Sequence, residues 1–174
     1  MSLSAPAPLA DHHQFGAFDS GVPILDDWLR RRARANQVSG ASRSFVICAD
    51  DIVVGYYALA SGAVSAAAAP SRFRRNMPEP IPVAVLGRLA VDQAWHKQGI
   101  GRALFRDSAL RVMQAAETIG IRGMLVHAIS DEAKAFYLAL GLSESPLEPM
   151  TLMVTLTDLR AALYQQGVGL SRKA

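Results

Sequence analysis

The spacing of apolar residues changes character several times along this chain. In DSGVPILDDWLRRRARAN, Ile24, Leu25, Trp28 and Leu29 recur near helical spacing among Asp19, Ser20, Asp26 and Asp27, residues of the kind that open helices, so the pattern predicts a helix. SRSFVICAD and IVVGYYALA are β-branched and aromatic runs separated by Asp50 and Asp51, the pattern of a hairpin. SGAVSAAAAPSRFRRNMPEPIP has no clear period and reads as a long connection with room for one short helical turn. Connections of that length inside a compact domain are uncommon and often functional. PVAVLGRLAV then predicts a central strand, buried on both faces except at Arg88.

Next comes HKQGIGRAL, with Gly99 and Gly101 on either side of Ile100. Beyond it Phe105, Ala109, Val112, Met113, Ala116 and Ile119 keep helical spacing, and Gly120 is expected to stop the helix. RGMLVHAIS predicts another buried strand, and SDEAKAFYLALG a short helix with Ser130 as N-cap and Gly141 as C-cap. PMTLMVTL predicts a late strand, followed by a terminal helix around Asp158 to Gln165. Strands alternating with helices after a leading hairpin predict a single α/β or α+β domain over residues 1–174 with a mixed sheet. The ends, about 1–8 and 167–174, are expected to fray.

Composition narrows this picture. With 174 residues, 51% of them apolar, the chain can bury one core. It has no apolar run of the roughly 18 residues that would suggest a membrane span. MSLSAPAPLADHH lacks the charged start and apolar core of a signal peptide, so export is not expected. Cys48, in SFVICA, reads as a buried inert thiol, which leaves no disulfide framework and fits a reducing cytoplasm. The net charge is only +3, yet arginine outnumbers lysine fifteen to three, and arginine is the better fork for phosphate. Arg30, Arg31, Arg32, Arg34 and Arg43 fall in a stretch without an acid, and Arg72, Arg74 and Arg75 lie in SRFRR. A basic face that meets a polyanion is one reading; a solvated helix face plus a basic loop is the plainer one.

The glycine pair now has a setting: strand, short turn, helix. The first turn of a helix leaves N–H groups unpaired at the positive end of the peptide dipoles, which suits a phosphate. A side chain at Gly99 or Gly101 would keep such a ligand from the backbone. The stretch is neither a Walker loop, since no G-K-[ST] follows, nor a dinucleotide fingerprint, since the third glycine and downstream acid are missing. A simple turn remains the alternative on this motif alone.

A second constellation joins it. VLGRLAVDQAWHKQGIGRALFRDSA followed by SDEAKAFYLALGL resembles the central motifs of the GNAT superfamily of acyl-CoA-dependent N-acetyltransferases, over about Val83 to Leu142. His96 departs from the arginine or glutamine usual at the first motif position. The resemblance implies a GNAT fold, a mixed, mostly antiparallel sheet flanked by helices, with a splayed strand pair forming the acetyl-CoA site. It implies that backbone N–H groups of Lys97, Gln98, Gly99, Ile100, Gly101, Arg102 and Ala103 hold the pyrophosphate. Leu89, Ala90 and Val91 would offer strand backbone to pantetheine and the acetyl carbonyl, and Ser130 and Phe136 would line the cofactor. Tyr137 matches the tyrosine that protonates the leaving thiolate; from spacing alone it could equally be a core aromatic. His127 reads as a satisfied core histidine, so no general base emerges, and the resemblance implies no metal.

The missing base bears on the acceptor. A lysine amine titrates near pH 10.4, whereas an α-amine titrates at about 7.7–8.0 and an ester on the same carbon lowers it further. Aminoacyl-tRNA carries such an amine on a polyanion, which would give the arginines a purpose. FDSGVPILDDWLRRRARANQVSG, SFVICADDIVVGYYALASGAV, RRNMPEPIPVAVLGRLAVD and PMTLMVTL are similar to the GNAT toxins of bacterial toxin–antitoxin pairs, from about Phe15 to Leu163. That branch implies a cytoplasmic enzyme, without membrane attachment, that acetylates aminoacyl-tRNA and blocks translation. Arg30, Arg31, Arg34, Arg72, Arg74 and Arg75 are then candidate RNA contacts. It also implies a homodimer and a ribbon-helix-helix antitoxin through which promoter DNA is met. Two alternatives stay open: a GNAT enzyme for a small amine or protein amine, and a non-catalytic acyl-CoA or RNA-binding module.

Overall fold

The computed structural model describes residues 2–171. The chain divides into two compact units, Met1–Ala60 with Leu86–Ser108, and Ser61–Val85 with Ala109–Ala174.

In the first unit β1 (Ala7–Pro8) lies antiparallel on β2 (Arg43–Ala49), and β2 pairs antiparallel with β3 (Ile52–Val64). The expected hairpin forms: Asp50 and Asp51 both take positive φ, 51° and 67°, the backbone twist that a two-residue hairpin loop requires. The expected fraying of residues 1–8 is corrected for the described ones. Leu3 bridges Ala49, and the Ser4 N–H donates to the Cys48 carbonyl at 2.8 Å, because β2 would otherwise present an unpaired edge.

The predicted first helix is two, α1 (Pro23–Arg31) and α2 (Ala33–Ser39), separated at Arg32, which has φ −122°. Pro23 opens α1, where a missing N–H costs nothing. Asp26 is buried and accepts from the Ser20 N–H at 3.0 Å and the Ser20 hydroxyl at 2.6 Å, which compensates its desolvation and ties the preceding loop to the helix. One face of β3 meets α1: the Tyr56 hydroxyl donates to the Leu25 carbonyl at 2.6 Å, and its ring stacks with Trp28. The other face meets the start of α4 (Ile100–Ala115), where the Tyr57 hydroxyl bonds Asp107. Gly55 allows this approach; a Cβ there would meet Leu104 at 3.0 Å and Ile100 at 3.1 Å.

The second unit contains most of the long connection, which is more ordered than its sequence suggests. β3 runs on to Val64, a 3-10 turn covers Ala66–Ala68, and α3 (Ser71–Arg74) precedes β4 (Ile81–Val91). Phe73 anchors it in a cluster with Ala69, Ile81, Val83, Leu125 and Met153. The Arg122 fork donates to the carbonyls of Arg72 at 2.7 Å and Phe73 at 2.8 Å.

There follow β5 (Gly123–His127), α5 (Asp131–Ala139), β6 (Ser143–Glu144) and β7 (Thr151–Thr155), with β7 antiparallel to both β5 and β6. Ser130 caps α5 as expected, accepting from the Ala133 N–H at 3.1 Å. The α4 helix stops at Ala115, short of Ile119, because the N–H groups of Glu117, Thr118 and Ile119 turn back onto Gln114 and Ala115; Ile119 is left exposed. The expected fraying at the C-terminus is corrected for 167–171, which belong to α6 (Leu156–Ser171); 172–174 lie outside the described residues.

The tight seat at Gly55 leads to a prediction. Gly55→Val should lower stability by about 1–3 kcal/mol through overpacking against α4, measured by urea denaturation. An unchanged midpoint would show that α4 shifts freely.

Candidate active site

In the first unit β4 ends by running into the helix start the sequence singled out. Ala90 is buried in the cluster with Leu25, Leu29 and Tyr56, while Leu89 and Val91 point to the other face by strand alternation and are half-buried. The Asp92 N–H donates to the Val54 carbonyl at 2.8 Å, a 3-10 turn follows at Gln93–Trp95, and α4 begins at Ile100.

Between these points the backbone is left open to a ligand. Lys97 and Gly99 have φ of +63° and +80°, left-handed turns of the kind that make concave N–H arrays for anions. Among the described residues, no backbone N–H from Lys97 to Arg102 donates to another protein group. The first of the stretch to do so is that of Ala103, on the Gly99 carbonyl at 3.0 Å. The open donors among the described residues are therefore those of residues 97–102, whereas the Ala103 N–H is already paired within the protein. A Cβ at Gly99 would meet nothing within 4 Å, so its glycine is there for the backbone conformation and the open space above it.

Two side chains that sequence reasoning left without a role hold this loop. Asp92 accepts from the Ala94 N–H at 2.9 Å with one oxygen and from the Asp19 N–H at 3.0 Å with the other, which joins the turn to the segment leading into α1. His96, at the unusual motif position, folds its ring back so that Nε2 lies 2.7 Å from the Val91 carbonyl. Its role is local bracing. The acidic residue directly after an apolar strand was the available signal for the first of these.

The second unit carries Ser130, Phe136 and Tyr137 on or at α5. Tyr137 is 7% exposed and packs edge-on against Phe136, ring centres 5.2 Å apart. Burial pushes its phenol pKa well up, so it stays protonated through the physiological range. His127 is not a core residue: it is exposed at the end of β5, with Nδ1 3.0 Å from the Thr151 hydroxyl.

The candidate RNA-binding arginines divide by what they touch. Arg30 donates to the Phe18 carbonyl at 2.7 Å and pairs with Asp27 at 3.3 Å. Arg34 donates to the His13 carbonyl at 2.7 Å and lies over the Phe15 ring. Arg72 forks onto Asp158 at 2.7 Å and holds that carboxyl below its usual range. Among the described residues, Arg31, Arg74 and Arg75 are exposed without a side-chain partner. No group of three or more His, Cys, Asp or Glu among the described residues could hold a metal.

The family model for an acetyltransferase (GNAT) domain matches residues 40–142, which span both motifs. The chain belongs to the GNAT acetyltransferase family. The anticipated fold is this family's fold. The chain is 52% identical over 160 residues to a curated protein named tRNA-acetylating toxin from Mycobacterium tuberculosis (strain ATCC 25618 / H37Rv), covering 92% of this chain and 96% of that one. The solved structure of AtaT complexed with acetyl-methionyl-tRNAfMet matches with a TM-score of 0.85 at 26% identity, covering 93% of this chain and 99% of that one. That of AtaTR bound with AcCoA matches with a TM-score of 0.79 at 26% identity, covering 92% and 98%.

The open donors at residues 97–102 are the backbone groups expected from the family resemblance to meet the pyrophosphate of acetyl-CoA, and Gly99 offers the test. Gly99→Val would strain the left-handed backbone and fill the space above it. Affinity for acetyl-CoA should fall about tenfold or more by calorimetry. Retained affinity would separate the loop from the cofactor.

Proposed function

We propose that this enzyme transfers the acetyl group of acetyl-CoA to the α-amino group of aminoacyl-tRNA and thereby blocks translation. The observation that carries the substrate is the likeness, over nearly the whole chain, to the relative named tRNA-acetylating toxin. The open N–H groups at residues 97–102 support the cofactor half of the reading.

In the reaction the neutral amine attacks the thioester carbonyl carbon; a C–N bond forms, the C–S bond breaks, and the amine loses a proton to solvent. Backbone donors from Lys97 to Arg102 hold the pyrophosphate, and the β4 backbone at Leu89 and Val91 aligns the pantetheine arm and receives the charge that develops on the carbonyl oxygen. Ser130 and Phe136 line the cofactor. Tyr137 delivers its proton to the departing thiolate. No protein base is required, because the α-amine of an aminoacyl ester is largely neutral near pH 8.

Arg31, Arg74 and Arg75, exposed and without side-chain partners among the described residues, are the first candidates for the phosphate backbone. Arg30, Arg34 and Arg72 reach RNA only by sharing or breaking present contacts. The enzyme works where tRNA is charged, in the cytoplasm, as a homodimer. A ribbon-helix-helix antitoxin restrains it and carries the pair to promoter DNA. No described helix is long and apolar enough to cross a membrane.

Labelled acetyl-CoA incubated with charged tRNA should yield acetyl-aminoacyl-tRNA, with little product from uncharged tRNA, free amino acids or lysine peptides. Comparable rates on free amines would overturn the substrate. Tyr137→Phe should keep acetyl-CoA affinity within about twofold and lose about a hundredfold or more in turnover; unchanged turnover removes Tyr137 from the mechanism. Replacing Arg74 and Arg75 with alanine should lower the slope of log affinity for tRNA against log salt by about 0.7–0.9 for each phosphate no longer neutralised, read by filter binding across a salt series. An unaltered slope returns both to a merely solvated surface.

A further inference from the structure

Arg88 is the one charge on the otherwise apolar strand β4 (PVAVLGRLAV), and its surroundings within the first unit do not account for it. Its guanidinium lies over the Trp28 ring, 5.5 Å from the ring centre, and Nη1 donates only to the adjacent Gly87 carbonyl at 3.3 Å. Nε is buried with no hydrogen-bond partner among the described residues. Asp26 of α1 is committed to Ser20, and Asp92, just beyond the end of β4, to Asp19 and Ala94. An arginine cannot escape burial by losing its proton, so the charge persists. A tryptophan face offsets only part of the desolvation. Arg88 as a whole is only half-buried, so the outer end of its fork, for which one long bond to Gly87 is the hydrogen bond found among the described residues, remains open to a partner from outside the protein.

Position narrows what that partner is. Arg88 shares its strand face with Ala90 and meets Trp28 of α1, on the side of β3 where Tyr56 bonds Leu25. The start of α4, with its open N–H groups, packs on the other side of β3, at Gly55 and Tyr57. The charge therefore serves something other than the pyrophosphate of acetyl-CoA. We infer that Arg88 is a specificity residue for the acceptor, binding the last phosphodiester of the aminoacyl end of the RNA on the α1 face. This inference rests on the reading of aminoacyl-tRNA as substrate.

The test uses two small acceptors, an amide-linked aminoacyl-adenosine and its 5′ methyl phosphodiester, which differ by a single charged group. The wild-type enzyme should prefer the phosphodiester by about tenfold or more in kcat/KM, chiefly through KM, as expected for a charge-assisted hydrogen bond. Arg88→Met should erase the preference, leave acetyl-CoA affinity unchanged, and keep or raise the melting temperature, since an apolar side chain replaces an unpaired buried ion. Arg88→Lys, which keeps the charge but not the fork, should retain part of the preference. A preference intact in Arg88→Met overturns the inference. So does a fall in melting temperature with equal loss on both acceptors, which would make Arg88 structural. A wild-type enzyme that acetylates charged tRNA but ignores the added phosphodiester overturns this inference alone. One that acetylates neither charged tRNA nor either small acceptor overturns the substrate reading, and this with it.

Discussion

A helix start whose first N–H groups have no partner among the described residues has to be held in place by everything around it. At α4 this is done from several directions. Gly55 leaves room for Ile100 and Leu104 to press against β3, Asp92 fixes the turn before the helix to the loop before α1, and the His96 ring braces the end of β4. Lys97 and Gly99 then turn the backbone through left-handed conformations between these fixed points. Lys97, Gln98, Gly99 and Arg102 are exposed, so water satisfies their open donors and the open state costs little, while the rigidity around them has been established in folding.

The arginines show why charge in a sequence does not translate directly into a binding face. Arg30 and Arg34 carry the same charge as Arg31, but their forks satisfy carbonyls of the N-terminal segment, and Arg34 also covers Phe15. Arg122, which no motif marks, satisfies two carbonyls of the long connection and gives it a fixed course. Arg88 reverses the pattern: it is half-buried, and its buried Nε finds no acceptor among the described residues. What separates these roles is the supply of acceptors around each side chain, and that supply is a tertiary property.

Much of the frame was readable before any coordinates. The hairpin at Asp50 and Asp51, the strands in PVAVLGRLAV and RGMLVHAIS, the Ser130 cap and the glycine-bearing start of α4 all follow from period and turn chemistry, which act locally. The failures share another cause. β1 and β6 are two residues each, too short to show a period, and exist because a longer strand offers them an edge. The break at Arg32 and the early end of α4 at Ala115 were hidden because apolar spacing continues across both. Of the candidate site, the glycine-bearing turn and the helix start after it were legible from glycine and motif, whereas the commitment of Ala103, the bracing by Asp92 and His96 and the isolation of Arg88 depend on the folded surroundings of each group.

The titration of the reacting groups links the site to the acceptor class. Burial raises the Tyr137 phenol above its ordinary value, so the phenol keeps its proton at every pH up to about 10 and beyond. The acceptor must be neutral to attack, which an α-amine is from about pH 8 upward, and one bearing an ester from lower still. In the proposed reaction, a Tyr137 acid and an α-amine nucleophile would therefore coexist in their working forms across a wide range that includes neutral pH. For a lysine amine, titrating near 10.4, the neutral form is scarce until close to the pH at which ordinary tyrosines ionise. A buried phenol acting as the acid would thus suit weakly basic amines, which need no base to be neutral. On the proposed function, the polyanion that carries such an amine would be chosen by charge placed elsewhere on the chain.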